Sequence, residues 1–143
     1  MKNDGTLDNL KKIYITDLKA DTELKAVEFE KIDGADTLTV AVTGDLSPFD
    51  YVSADGKAAG FNTAVLAELG KRLQKNINII QIESGARAAT LTSKKADMVF
   101  WTFIPADEIV SANILPADLD KPEGIELSTP YYTCTKVHVG LKK

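Results

Sequence analysis

Residues 37–73 read TLTVAVTGDLSPFDYVSADGKAAGFNTAVLAELGKRL, and the reading of this stretch decides the fold. Thr37–Val42 alternates and is rich in β-branched side chains, which suit a pleated, half-buried surface, so it predicts a strand. A loop follows from Thr43 to Pro48. Tyr51-Val52 and Ala58-Ala59 then flank Ala54-Asp55-Gly56-Lys57, where Asp-Gly tolerates the backbone of a tight hairpin turn. Asn62 or Thr63 is expected to cap a helix with the apolar stripe Val65, Leu66, Leu69 and Leu73, and Gly70 weakens its end.

Outward from this core the alternation continues. INIIQI, residues 77–82, predicts a second strand, and Ser84 can cap a helix containing Ala88, Ala89 and Leu91. DMVFWTF, residues 97–103, is nearly all apolar, as a strand buried on both faces of a parallel sheet requires. Residues 104–128 contain Pro105, Pro116 and Pro122 without a steady period and read as a long loop; residues 135–141 alternate as a last strand. Upstream, Leu7, Leu10, Ile13, Tyr14 and Leu18 recur at helical spacing, with Thr6 or Asp4 as the cap. Residues 21–36 are acidic, end in a glycine turn and read as a linker or arm. Strands alternating with helices predict an α/β fold: a three-layer, doubly wound, mostly parallel sheet. Ligands of such sheets sit at the carboxyl ends of the strands. That rim would be built by residues 43–51, 83–87 and 101–105.

Composition narrows the function. The 143 residues carry 44% hydrophobic and 27% charged side chains, enough for one domain with a core. A net charge of −4 with no basic cluster argues against a nucleic-acid partner. Cys134 is the single cysteine, so no intramolecular disulfide forms. His138 is the single histidine, and with Cys134 it assembles neither a metal site nor a nucleophilic pair; no cofactor-binding loop occurs. Met1–Gly5 has no apolar run of the kind a secretion signal needs, which leaves two expectations open: a cytosolic chain, or a piece of a longer exported protein.

The order of motifs resembles the first lobe of the family-3 solute-binding proteins, the amino-acid-binding components of ABC importers with the type II periplasmic-binding-protein fold. The carriers are residues 38–73, with Pro-Phe-Asp-Tyr, Asp-Gly-Lys and Gly-Phe-Asn in order, then LTSKKADMVF and ELSTPYYTCTKVHVGLKK. Together they span about three quarters of the chain. NDGTLDNLKKIYI near the N-terminus resembles the helix that closes such a protein at its C-terminus. Two arrangements stay open: residues 1–20 end a preceding module, or the displaced helix packs on this lobe. Residues 37–143 would be lobe one, with lobe two missing.

The resemblance implies a cell-envelope or extracellular location, a permease as partner, and an amino acid or small carboxylate as ligand. A second copy in a homodimer, or a separate lobe, would supply the missing face of the site. Three departures stand against standard binding. Ile109 occupies the place of the family's carboxylate-clamping arginine, Asn62 replaces an aspartate, and Phe100, Trp101 and Phe103 replace small residues.

Six residues are candidates for ligand contact, each with a structural alternative. Asp45 would hold an ammonium, or simply form the turn beside Gly44. Phe49 and Tyr51 would wall a bound side chain, or cover the core. Arg87 would replace the lost clamp, or be a solvated charge. Trp101 and Thr102 would floor the cleft and donate a hydroxyl, or be ordinary strand residues. The leading expectation is a solute-binding module and not an enzyme. The alternatives are a degenerate lobe that acts as an interaction or sensor module, and a dehydratase-like enzyme with Glu83 as general acid.

Overall fold

A computed structural model describes residues 1–19, 22, 26–100, 125–126, 128 and 130–132. Expectations for residues 101–124 and 133–143 lie outside these, including the end of the third strand, most of the long loop and the last strand. The elements, in chain order, are α1 (Thr6–Lys11), β1 (Thr37–Val42), β2 (Asp45–Leu46), β3 (Asp50–Val52), β4 (Ala58–Ala59), α2 (Phe61–Leu73), β5 (Asn76–Gln81), α3 (Arg87–Thr92) and β6 (Met98–Val99). A π-helical turn, Lys12–Thr16, extends α1, and a 3₁₀ turn, Ser84–Ala86, precedes α3.

The main sheet has the order β5-β1-β6, and both pairings are parallel. β1 and β5 match residue for residue from Thr37↔Asn76 to Val42↔Gln81. β1 lies between two parallel neighbours, and Val40 and Ala41 are fully buried, which is why the β-branched run at 37–42 reads so clearly. The chain leaves β1 toward β5 on one side and returns past it to β6 on the other. The two connections run in opposite directions along the sheet, and the right-handed rule for such crossovers assigns α2 and α3 to opposite faces, the doubly wound arrangement. β2, β3 and β4 form a small antiparallel sheet, with Tyr51↔Ala59 and Val52↔Ala58 closing the predicted hairpin. β2 pairs with β3 in a stretch expected to be loop, because two residues are too few to show a period.

Helix starts differ from expectation. α2 begins after Gly60, with φ 106° and no side-chain cap, and Asn62 and Thr63 lie inside its first turn. Phe61 and Asn62 donate their amides to the carbonyls of Pro48 (2.9 Å) and Phe49 (2.7 Å), so a neighbouring backbone satisfies the helix start. Residues 61–66 are buried all round, whereas Leu73, expected in the stripe, is 48% exposed in the last turn. Gly70 does not end the helix; a Cβ there would lie 2.8 Å from Ile77 Cγ1, so it permits close approach to β5. Ser84 and Thr6 do not cap by side chain, but the Asp4 carboxylate accepts the Thr6 amide at 3.1 Å.

The N-terminal helix packs on this lobe. Leu7 joins Val40, Val42, Phe61, Val65, Leu66 and Phe100 in one buried cluster. Arg72 on α2 donates to Asp4 (2.6 Å), Thr6 (2.7 Å) and Glu68 (3.2 Å). Further along, the Asn76 side chain bonds Ile32 N, Ile32 O and Ala35 O, and Val27 N donates to Ala58 O, so residues 27–35 lie along the lobe.

Candidate functional site

β1 and β5 end side by side, and the loops that leave them define a cleft of about 690 Å³. The Thr43–Leu46 turn forms one wall, and Gln81–Ser84 with Arg87 forms the other. Two of the three rim segments expected from sequence therefore meet at the carboxyl ends of the strands; the third, residues 101–105, lies outside the described residues.

The first wall is held from below. Asp50, 1% exposed, accepts the Gly44 amide (3.0 Å) and the Thr43 hydroxyl (3.3 Å) on one oxygen and the Asn62 amide (2.8 Å) on the other. Asn62, fully buried, accepts the Tyr131 hydroxyl at 3.0 Å. From the side, Gln81 Nε2 donates to Thr43 O at 2.8 Å, and its side chain lies so close to Gly44 that a Cβ would meet it at 3.0 Å. Gly44 has φ 72°, so both backbone conformation and space favour glycine.

The second wall carries Arg87. Its Nη1 donates to Ser84 O at 3.2 Å, and its Nε is buried with no hydrogen-bond partner among the described residues. Asp45 is exposed and lines the same cleft, and Glu83 also reaches it. The arrangement offers one guanidinium, two carboxylates and the hydroxyl or amide groups of Thr43, Ser84 and Gln81 to a small polar molecule. Among the described residues no group of acidic, histidine or cysteine side chains forms a metal site.

Asp45 and Arg87, singled out from sequence, thus line one cleft. Phe49 sits elsewhere: its ring lies edge-on to Phe61 (6.4 Å) and Tyr132 (5.2 Å), within an aromatic cluster that includes Tyr131 and Phe100. Tyr51 is half-buried on β3, and desolvation, then the neighbouring Tyr14, push its phenol pKa up. Trp101 and Thr102 lie outside the described residues. Sequence reasoning missed Asp50 and Gln81. The signal for Asp50 was an acid set between two aromatics; for Gln81 it was a polar residue at the carboxyl end of a strand.

Residues 38–108, about half the chain, match the model of the bacterial extracellular solute-binding proteins, family 3. No curated protein matches the sequence at a significant level. Among solved structures, the chain is similar to the L-cystine solute receptor of Neisseria gonorrhoeae, with 26% identity over 48% of this chain and 29% of that one and a TM-score of 0.44. It is similar to a Salmonella typhimurium periplasmic binding protein of high arginine specificity, with 25% identity over 52% and 34% and a TM-score of 0.46. It is also similar to an ancestral cyclohexadienyl dehydratase, with 31% identity over 48% and 30% and a TM-score of 0.45. The chain therefore spans about a third of the length of these proteins. The matched segment contains β1, the hairpin, α2, β5 and β6 of the parallel sheet and both walls of the cleft, and the chain belongs to the bacterial extracellular solute-binding proteins, family 3.

Proposed function

We propose that the cleft captures an amino acid or similar small zwitterion as the solute-binding part of an importer outside the cell. The observation that carries this reading is that Asp45 and Arg87, opposite charges on the segments that follow two adjacent strands, line one cleft. Asp45 receives the ligand's ammonium. Arg87, with its buried Nε unsatisfied among the described residues, receives the carboxylate and replaces the arginine absent at Ile109. Trp101 and Thr102 are proposed to extend the floor. In this scheme residues 1–20 act as a closing helix, 21–36 as an arm and 37–143 as lobe one. A second lobe or a second copy covers the open side, and a permease accepts the solute.

The test is a thermal-shift and calorimetric screen of the intact chain against the L-amino acids. A ligand at about 100 times its dissociation constant adds about 2.7 kcal/mol to stability. The binding amino acid raises the melting temperature, and Arg87→Ala and Asp45→Asn each weaken binding at least about tenfold, as loss of a charge-assisted bond does. Absence of any shift sinks the reading for the single lobe. A second reading, a non-binding interaction module, is favoured by one observation: Phe49 packs on Phe61 and Tyr132 and does not line the cleft. A dehydratase-like role for Glu83, which reaches the cleft, predicts turnover of cyclic prephenate-like acids that Glu83→Gln abolishes.

A further inference from the structure

Asp50 is a buried carboxylate whose three bonds in the structure come from neutral donors: a backbone amide, a hydroxyl and a side-chain amide. Removing a buried charge from water is tolerable only while such bonds hold, so each partner is under strong constraint. The constraint passes along a line. Asn62 must present its NH₂ to Asp50, because its carbonyl there would face a carboxylate. Its carbonyl, pointing the other way inside the core, then needs a donor, and the Tyr131 hydroxyl is that donor at 3.0 Å. Burial and the charge of Asp50 push the Tyr131 phenol pKa up, so the hydroxyl keeps its proton.

At one end of this line is the Thr43–Leu46 turn, a wall of the cleft. At the other is the segment Pro130–Tyr132, which the N-terminal helix region holds: Lys2 Nζ bonds the Pro130 carbonyl, and Lys11 Nζ lies 5.3 Å from the Tyr132 ring centroid. We propose that Tyr131, Asn62 and Asp50 form a positioning relay that sets the Thr43–Leu46 wall according to whether residues 130–132 are seated. Seating supplies the hydroxyl that orients Asn62; Asn62 completes the shell of Asp50; Asp50 fixes Gly44 and Thr43. Unseating withdraws the hydroxyl from Asn62, 69 residues earlier in the chain, and so loosens the wall. The effect on ligand capture rests on the binding reading above, whereas the effect on the wall does not.

Amide hydrogen exchange of the ¹⁵N-labelled chain tests the relay, with Gly44 as reporter and Val40 and Ile79, inside the main sheet, as controls. Tyr131→Phe removes one hydroxyl and is expected to accelerate Gly44 exchange about five- to tenfold, the worth of one hydrogen bond, and to leave the controls within about twofold. Asp50→Asn keeps the shape, removes the charge and accelerates Gly44 further; it also serves if Tyr131→Phe does not fold. Unchanged Gly44 exchange, or equal acceleration of reporter and controls, overturns the relay. The L-amino acids are then titrated one by one into the wild type and Tyr131→Phe. Weaker binding by the variant supports the coupling to capture. Selective Gly44 acceleration with no binding by the wild type leaves the relay standing and removes the binding reading. Equal affinity in both proteins overturns the coupling.

Discussion

At the scale of single residues, Gly60 and Asn62 connect backbone geometry to the site. Gly60 has φ 106°, and a Cβ there would stand 2.4 Å from the Phe49 carbonyl oxygen, which is itself bonded to Asn62 N. Neither backbone can yield, since each satisfies the other. Gly60→Ala is therefore expected to cost about 3 kcal/mol or more and to yield little folded protein, as a denaturant melt would show. Asn62→Asp makes a different error. It places a second carboxylate 2.8 Å from Asp50 Oδ2 in a fully buried position, and it costs about 2–3 kcal/mol at neutral pH. A variant as stable as wild type in a denaturant melt would refute this account. Where the resemblance puts an aspartate, this chain has an amide, and that amide touches a buried acid. The change is legible in sequence, but its physical reason is visible only once Asp50 and Asn62 are seen to touch.

At the scale of elements, α1 shows how packing overrides a local pattern. The spacing of Leu7, Leu10, Ile13, Tyr14 and Leu18 predicted one helix, yet the chain is α-helical only from Thr6 to Lys11 and widens to a π-helical turn over Lys12–Thr16. Leu7 is buried, Tyr14 and Ile15 pack against the core, and Ile13 is 51% exposed, so the wider turn changes which residues face inward. Leu7→Ala is expected to lower stability by about 2–4 kcal/mol, measured by urea melts, because it leaves a cavity in the buried cluster. Arg72 is the polar partner of the same docking, and it holds the Asp4 carboxyl well below the usual carboxylate range. Both side chains are partly exposed, so Arg72→Ala is expected to lower the melting temperature only slightly, and less so in high salt. A large, salt-independent loss would mean that the methylenes of Arg72 matter more than its charge.

At the scale of the whole molecule, the phenols of Tyr14, Tyr51 and Tyr131 are all raised above 10.0, in each case first by desolvation. A phenol that holds its proton more tightly when folded favours the native state fully below pH 10.0, and this support is lost as pH rises through the unfolded value and onward. Thermal stability is therefore expected to fall from about pH 10 upward, with a shallower fall in Tyr131→Phe. Parallel slopes for the two proteins would exclude Tyr131 as a source. The sequence by itself determined the parallel strands, the hairpin and α2, because β-branched runs, Asp-Gly and a helical stripe act over a few neighbouring residues. It also placed Asp45 and Arg87 near the rim at the carboxyl ends of the strands, where an α/β sheet collects its ligands. Only the tertiary structure decided that these two share a cleft, that Phe49 turns away from it, and that Asp50 holds its wall through Asn62 and Tyr131. These outcomes depend on contacts between residues far apart in the chain and on what burial demands of a charge, and no local pattern of side chains encodes either.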